Sequence, residues 1–279
     1  MFQLKSINPK KLNSPLVSIV IPTYNRPGHL VRAIESALRQ TYENIEIIVV
    51  DDCSDLDLDQ FREEFPAVKL YKNSDNRGAC FSRNRGLEIA SGDYINFLDD
   101  DDELYPDKIA LQIQKFQRSA DPNLGMVTCH LEDYRSGNKQ IVRNRVNGDV
   151  YRLLLSKFAI AGTESMLFKR SVFDEVGGFD ENLQSSQEYD LFLRVSELFT
   201  VDYVDKILSR KNRSSDQISL NFDKKMAGAK YLFKKHDERY RQIGFLFWLK
   251  MRLKLRGLIC RFYIGKWFGE KAYRLTIRD

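Results

Sequence analysis

Four runs of apolar, largely β-branched residues recur in the first hundred positions: "VSIVIPTYN" (17–25), "IEIIVVDD" (45–52), "VKLYKN" (68–73) and "YINFLDD" (94–100). Runs that are apolar throughout, without alternation, suit strands covered on both faces and hence a parallel sheet. Helical patterns lie between them. In "PGHLVRAIESALRQ" the residues Leu30, Ala33, Ile34, Ala37 and Leu38 share one face, and Pro27 suits a first helical turn. "ACFSRNRGLEIA" and "PDKIALQIQKFQ" read the same way. This alternation over the first 120 residues predicts a doubly wound α/β sheet. Beyond it the pattern loosens. "GMVTCH" and "ESMLFKR" read as strands, and "QEYDLFLRVSEL" (187–198) reads as a helix. "RSGNKQIVRNRVNGD" reads as a hairpin or loop, and "SRKNRSSDQISLN" (209–221) as a mobile loop.

In such sheets ligands bind beyond the carboxyl ends of the strands, and three polar clusters fall there: "PTYN", "DDCSD" and "DDDDE". The four aspartates Asp99 to Asp102 directly follow "INFL", so at least one carboxylate is expected at a strand tip with incomplete solvation. Crowded carboxylates raise one another's pKa unless a cation offsets their charge. Two of them in D-x-D spacing suit Mg2+ or Mn2+, which take oxygen ligands and share them with phosphates. Asp100, between them, is expected to be expendable. An EF-hand is excluded, because the sixth loop position from Asp99 is Leu104 and not glycine. A solvated acidic turn and a D-x-D phosphohydrolase with Asp99 as nucleophile stay open as alternatives.

The other clusters also admit two readings. "IPTYNRP" is either an ordinary strand-to-helix turn or a pocket in which Tyr24 covers a flat base and Thr23 and Asn25 offer hydrogen bonds. "VVDDCSD" is either a helix-capping turn, with Ser54 or Asp55 as the cap, or a site where Asp52 accepts from a base or ribose. Arg77, Arg83 and Arg85 are either surface residues or the positive charge that a polyphosphate ligand needs. His29, His130 and His236 show no ligand spacing and are assigned to surface or packing roles.

Composition narrows the setting. At 43% hydrophobic and 30% charged, the chain has the balance of a globular protein with ample core. Its four cysteines form no CxxC pair, which argues against a zinc site or disulfide framework and fits a reducing, cytoplasmic compartment. No run approaches the roughly 20 apolar residues of a membrane span, and the first residues lack the apolar core of a secretory signal. The net charge of +5 is unevenly spread. Residues 241–279 hold ten Lys or Arg against two Asp or Glu, a net of +8, and the rest of the chain is slightly acidic. A cationic, aromatic-rich tail is drawn to anionic lipid headgroups, by about 1 kcal/mol per basic residue near the surface. On a helical wheel its charges form two stripes, Lys250, Lys254 and Arg261 on one side and Arg252 and Arg256 nearly opposite, so it is no simple amphipathic helix. The tail is expected either to pack as a helix pair with a solvated basic face or to touch the inner face of the cell membrane. Nucleic acid is not an expected partner, since no recognition module accompanies the charge.

The order "VSIVIPTYNRP", "IIVVDDCSD", "NRGACFSRNRGLEIASGDYINFLDDDD" and "GGFDENLQSSQEYDLFLRV" resembles the pattern of glycosyltransferase family 2, from about Val17 to Val195. The resemblance implies a GT-A fold, with a Rossmann-like, mostly parallel sheet flanked by helices, and inverting sugar transfer from a nucleotide-sugar, a UDP-sugar by preference. Residues 17–120 would form the nucleotide-sugar half, 121–222 the acceptor and catalytic half of the same domain, and 223–279 the basic helical extension, with 1–16 preceding them. Pro22, Thr23 and Tyr24 would line the base pocket and Asp52 would accept from the base. Asn76 and Arg83 would help hold the nucleotide. Asp99 and Asp101 match the D-x-D positions, contacting the ribose and the metal-bound diphosphate, with Asp101 on Mn2+ or Mg2+ and Asp102 in support. Glu188 occupies the position of the catalytic base, Gln187 replaces the acid that usually precedes it, and Asp190 is the rival base. "GTES" (162–165) would lie on the acceptor side without assigned roles. A glycan or lipid-linked acceptor in surface polysaccharide synthesis is implied, and the missing Gln-x-x-Arg-Trp pattern favours addition of a single sugar. A non-catalytic sugar-nucleotide binder is the remaining alternative.

Overall fold

The computed structural model describes residues 14–135, 138–157, 160, 162–213 and 221–276. Its first half alternates strand and helix: β1 (Val17–Thr23), α1 (Pro27–Leu38), β2 (Ile45–Asp51), α2 (Leu58–Glu64), β3 (Val68–Lys72), α3 (Ala79–Ile89) and β4 (Tyr94–Phe97). β5 (Glu103–Leu104), α4 (Lys108–Arg118), β6 (Leu124–Arg135) and β7 (Asn138–Val142) follow. Then come α5 (Tyr151–Ser156), a 3-10 turn at Thr163–Ser165, β8 (Leu167–Lys169), α6 (Ser171–Val176), α7 (Gln187–Leu198) and β9 (Thr200–Arg213). Three helical segments close the described chain: α8 (Phe222–Lys235), α9 (Asp237–Ile243) and α10 (Phe245–Leu275), the last of which breaks at Gly269, where φ is 82°.

One sheet joins both halves in the order β3-β2-β1-β4-β8-β6-β9-β5, with β7 paired to β6. β3, β2, β1 and β4 are mutually parallel, as their continuous apolar runs predict. β8 then runs antiparallel to both β4 and β6, so the second half mixes directions. All seven residues of β1 are buried, because helices cover both faces of the sheet. Ile19 and Ile21 face one core with Leu30, Ile34 and Ile109. Val20 faces the other with Phe97, Phe168 and Phe192. α3 lies close on β1 because Gly86 has no side chain; a Cβ there would fall 2.2 Å from Val20 Cγ1.

Three local expectations are corrected. Leu38 is 47% exposed, whereas Leu30, Ala33, Ile34 and Ala37 are buried; it is the last residue of α1, where the helix leaves the sheet. The cap of α2 is Asp57, whose carboxylate accepts from the Asp59 and Gln60 amides, and not Ser54 or Asp55. The stretch read as a mobile loop from residue 209 begins instead as strand, since β9 runs to Arg213 beside β6; residues 214–220 lie outside the described residues. Its polarity imitates a loop because the end of β9 faces a charged site, not a core.

The C-terminal helices are fastened to the domain. Phe247, Trp248 and Met251 of α10 pack against the core on the α7 side. A second apolar stripe of α10 points outward, with Leu246 79%, Leu253 56% and Trp267 75% exposed. The two basic stripes are the edges between these faces, which is why the wheel reads as irregular. Among the described residues no helix is long and apolar enough to cross a membrane.

Candidate active site

The three polar clusters meet at the carboxyl ends of β1, β2 and β4. Asn25 and Cys53, with φ of 53° and 66°, turn the chain sharply just after β1 and β2, at a cost that packed surroundings sustain in functional loops. The two loops are tied together: the Asn25 amide donates to Ser54 Oγ at 2.7 Å, and Asn25 Oδ1 accepts from the Asp55 amide at 2.9 Å. Asp52 is 3% exposed. It accepts from Asn73 Nδ2 and the Arg77 amide at 3.0 Å and from the Gly78 amide at 2.6 Å. It therefore clamps the loop that presents Asn76 and Arg77, besides facing the cavity itself. Gly78, at φ 89°, allows the turn into α3.

The aspartates after β4 have separate environments. Asp99 pairs with Arg83, a guanidinium only 4% exposed, at 2.5 Å. Burial opposes ionisation of Asp99, but Arg83 and Lys211 outweigh it, and its pKa lies below the ordinary value. Asp100 accepts from Thr23 Oγ1 at 2.8 Å and lies 3.4 Å from Arg26. It is an anchor between two strand tips, not the expendable position its place in D-x-D indicates. Asp101 lies 3.4 Å from Arg26; burial and then Asp99 push its pKa up. Asp102 accepts from the Asn212 amide at 2.9 Å and is 1% exposed. Burial and then Glu164 raise its pKa well above normal.

Each of Asp99, Asp101 and Asp102 offers an oxygen within 4.8 Å of the others. The residues fit a hard divalent cation: the donors are all carboxylate oxygens, and Asp102 Oδ2 is buried without a hydrogen-bond partner. Arg83 Nε and Nη1 are likewise buried and unpartnered, which leaves donor capacity for an anionic ligand.

Sequence reasoning missed the cation that balances this charge and a further acid beside it. Lys211 Nζ lies 3.9 Å from Asp102 and 3.7 Å from Glu164. Burial lowers the Lys211 pKa, but Glu164, Asp102 and Asp99 outweigh it and hold the ammonium charged. Glu164, within the "GTES" stretch, is fully buried and neither of its oxygens finds a hydrogen bond. A Cβ at Gly162 would sit 2.3 Å from Glu164 Oε1, so the glycine is what admits this carboxylate.

α7 brings the remaining acids. Glu188 lies in its first turn, favoured there by the helix dipole, and lines the same cavity as Asp99 and Asp101. No hydrogen bond or ion pair among the described residues engages its carboxylate. Gln187 is turned back to Leu183 O at 2.9 Å and holds the preceding loop. That loop ends at Ser186, the third non-glycine residue with positive φ, at 64°. Asp190 is fully buried, bonded to Arg194 at 2.9 Å, Lys235 at 3.0 Å and His236 at 2.9 Å. It fastens α8 to α7, and unlike Glu188 it does not line the cavity. Arg85 and Arg77 hold exposed pairs with Glu88 and Glu181; only Arg77 of the two also lines the cavity.

The cavity has a volume of about 1220 Å³ and is lined by Pro22, Thr23, Tyr24, Asp52, Asn76, Arg83, Asp99, Asp101, Gln187, Glu188 and Lys211 together. Tyr24 is 46% exposed at this surface, free to cover a flat group. Hydrogen-bond donors suited to an anionic ligand and the carboxylate of Glu188 thus share one space.

The chain is similar to known proteins in sequence and in fold. The family profile described as glycosyl transferase family 2 matches residues 18–177, more than half of the chain. A protein of Escherichia coli (strain K12) named as a colanic acid biosynthesis glycosyl transferase, WcaA, is 32% identical over 82% of this chain and 84% of its own length. The chondroitin synthase of Escherichia coli is 31% identical over 69% of this chain but only 28% of its own. Among solved structures, S. aureus TarS 1-349 in complex with UDP-GlcNAc superposes with a TM-score of 0.60 at 17% identity, over 78% of this chain and 66% of that one. The mannosyltransferase PcManGT from Pyrobaculum calidifontis, in complex with GDP-Man and Mn2+, gives 0.59 at 21% identity, over 82% and 66%. These structural likenesses carry the fold, which is that of GT-A enzymes with a C-terminal helical extension. With a profile covering more than half its length and a relative at 32% identity over 84% of that relative's length, this chain belongs to glycosyltransferase family 2.

Proposed function

We propose that the protein is a metal-dependent inverting glycosyltransferase that moves one hexosyl or N-acetylhexosaminyl group from a nucleotide-sugar, a UDP-sugar by preference, to a hydroxyl of a glycan or lipid-linked glycan. The observation that carries this reading is the convergence of Asp99, Asp101 and Glu188 on one cavity. Thr23, Tyr24 and Asp52 frame the base end, and Arg83 and Lys211 supply positive charge for the diphosphate. Asp99, Asp101 and Asp102 would hold Mn2+ or Mg2+, which as a Lewis acid stabilises the leaving diphosphate. Glu188 takes the proton of the acceptor hydroxyl as its oxygen attacks the anomeric carbon from the face opposite the leaving group. A single base suits one displacement and hence inversion. The names of the colanic acid and chondroitin relatives support a place in polysaccharide synthesis, and a neighbour's Mn2+ supports the metal. A phosphohydrolase with Asp99 as nucleophile is disfavoured, because Arg83 pairs with that carboxylate.

The same reading places the enzyme at an anionic membrane surface. The outward apolar stripe of α10, edged by Lys250, Lys254 and Arg261 on one side and Arg252 and Arg256 on the other, supports it. Co-sedimentation with phosphatidylglycerol liposomes tests this part: binding that persists unchanged in Leu253→Glu/Trp267→Glu refutes it.

The catalytic part is tested by titrating a panel of nucleotide-sugars with and without Mn2+, scored by binding and slow hydrolysis. Wild type binds a UDP-sugar only with the metal, and Asp101→Ala abolishes that binding. Metal-independent binding of equal strength in both proteins overturns the reading.

A further inference from the structure

The cavity that contains Glu188 does not end at α7. It continues between the C-terminal helices, where its walls become apolar: Leu232 and Phe233 from α8, and Met251, Leu255, Leu258 and Phe262 from α10. α8 is pressed onto the loop that leads to Glu188. Ser185 Oγ donates to Lys224 O at 3.3 Å, and a Cβ at Gly228 would fall 2.2 Å from Ser185 Oγ. The apolar arm and the carboxylate are therefore parts of one enclosure, held in register by direct contact. Lys224 and Lys225 line it as well, and Lys225 Nζ lies 5.2 Å over the rings of both Phe222 and Tyr273.

A nucleotide-sugar and a purely polar glycan give such walls nothing to do. A sugar is covered by hydroxyls, and apolar lining that faces it leaves those hydroxyls without partners. An alkyl chain gains from every methylene it buries, roughly fourfold in affinity each. The arm's charge is cationic where it has any, which matches an anionic linking group.

We propose that this arm binds the hydrocarbon chain of an anionic amphiphilic acceptor, whose phosphate lies beside Lys224 and Lys225 and whose sugar hydroxyl reaches Glu188. The inference rests on the transferase reading for the role of Glu188, but the arm itself is defined independently of it. The occupant is a single acceptor chain and not the bilayer, which the outer stripe of the same helix addresses. α10 thus has an inner apolar face toward the acceptor and an outer one toward the membrane.

Isothermal titration of the full chain with decyl phosphate, below its micelle concentration, tests this against inorganic phosphate and decanol. Wild type is expected to bind decyl phosphate at least 30-fold more tightly than either. Leu258→Trp, which fills the arm, and Leu255→Gln, which makes it polar, each weaken that binding at least tenfold and leave Mn2+-dependent UDP binding unchanged. The second substitution decides the matter if the first does not fold. Equal affinity for decyl phosphate and inorganic phosphate, or undiminished binding in both variants, overturns the proposal. So does a wild-type dimer that dissociates in Leu258→Trp, since a second copy of the chain would then fill the arm. Loss of UDP binding in wild type would refute the transferase reading alone, leaving the decyl phosphate result to decide the arm.

Discussion

The Lys211 ammonium stands 3.7 Å from the Glu164 carboxylate and 3.9 Å from that of Asp102, so one partly buried cation serves two buried acids beneath the D-x-D aspartates. Removing it strands both. Lys211→Met is expected to cost about 3–5 kcal/mol of unfolding free energy in urea, the usual penalty for an uncompensated buried charge. Adding Glu164→Gln to that background should recover part of the loss. A coupling between the two sites below about 0.5 kcal/mol would contradict the shared role.

Asp190 and Glu188 lie two positions apart on α7 but should fail in different ways. Burial opposes ionisation of Asp190, yet His236, Arg194 and Lys235 outweigh it and hold the carboxyl below its ordinary 3.8. Its stabilisation is therefore complete above that pH and is lost as pH falls through the lower folded value. Asp190→Asn should lose about 3 kcal/mol at neutral pH. Acid titration of both proteins by circular dichroism should show the gap closing below 3.8.

Glu188→Gln, by contrast, should melt like wild type and keep metal-dependent nucleotide binding. Transfer to acceptor should fall by about 10²–10⁴-fold, the range for a lost general base. Normal transfer by this variant would return the base assignment to another residue.

Lys108 gives a pH dependence of the same sign, but in the alkaline range and from a burial penalty instead of a favourable pairing. It is fully buried in the core, and that burial lowers its pKa from 10.5 to about 8. The unfolded chain holds its proton up to the higher value, so wild-type stability should rise as pH climbs from about 8 toward 10.5. Lys108→Met should remove that rise and be the more stable protein at pH 7, by about 1–3 kcal/mol. The Met166 carbonyl that Lys108 touches keeps a second donor, Asn96 Nδ2 at 2.5 Å. Thermal melts at several pH values check both statements.

Much of the site could be read from the chain because strand ends are marked by a change of composition. "INFL" followed by aspartates locates a strand tip, and the first turn of "QEYDLFLRVSEL" locates Glu188. What could not be read is the partner of each acid. Asp100 and Asp102 look alike in sequence, but one meets Thr23 and Arg26 and the other meets Asn212. Lys211 looked like loop because a strand whose end faces carboxylates carries no apolar alternation. Glu164 carried no signal beyond its glycine at position 162, whose need for φ 78° and for space against the carboxylate is invisible without coordinates.

The sequence by itself determined the parallel half of the sheet, the three clusters at its rim and the basic tail, since these follow from local periodicity and charge. Only the tertiary structure decided the direction of β8, the division of labour among the aspartates and the two apolar faces of α10. Each of those depends on contacts between residues far apart in the chain, and local pattern does not encode which distant group neutralises a charge or covers a face.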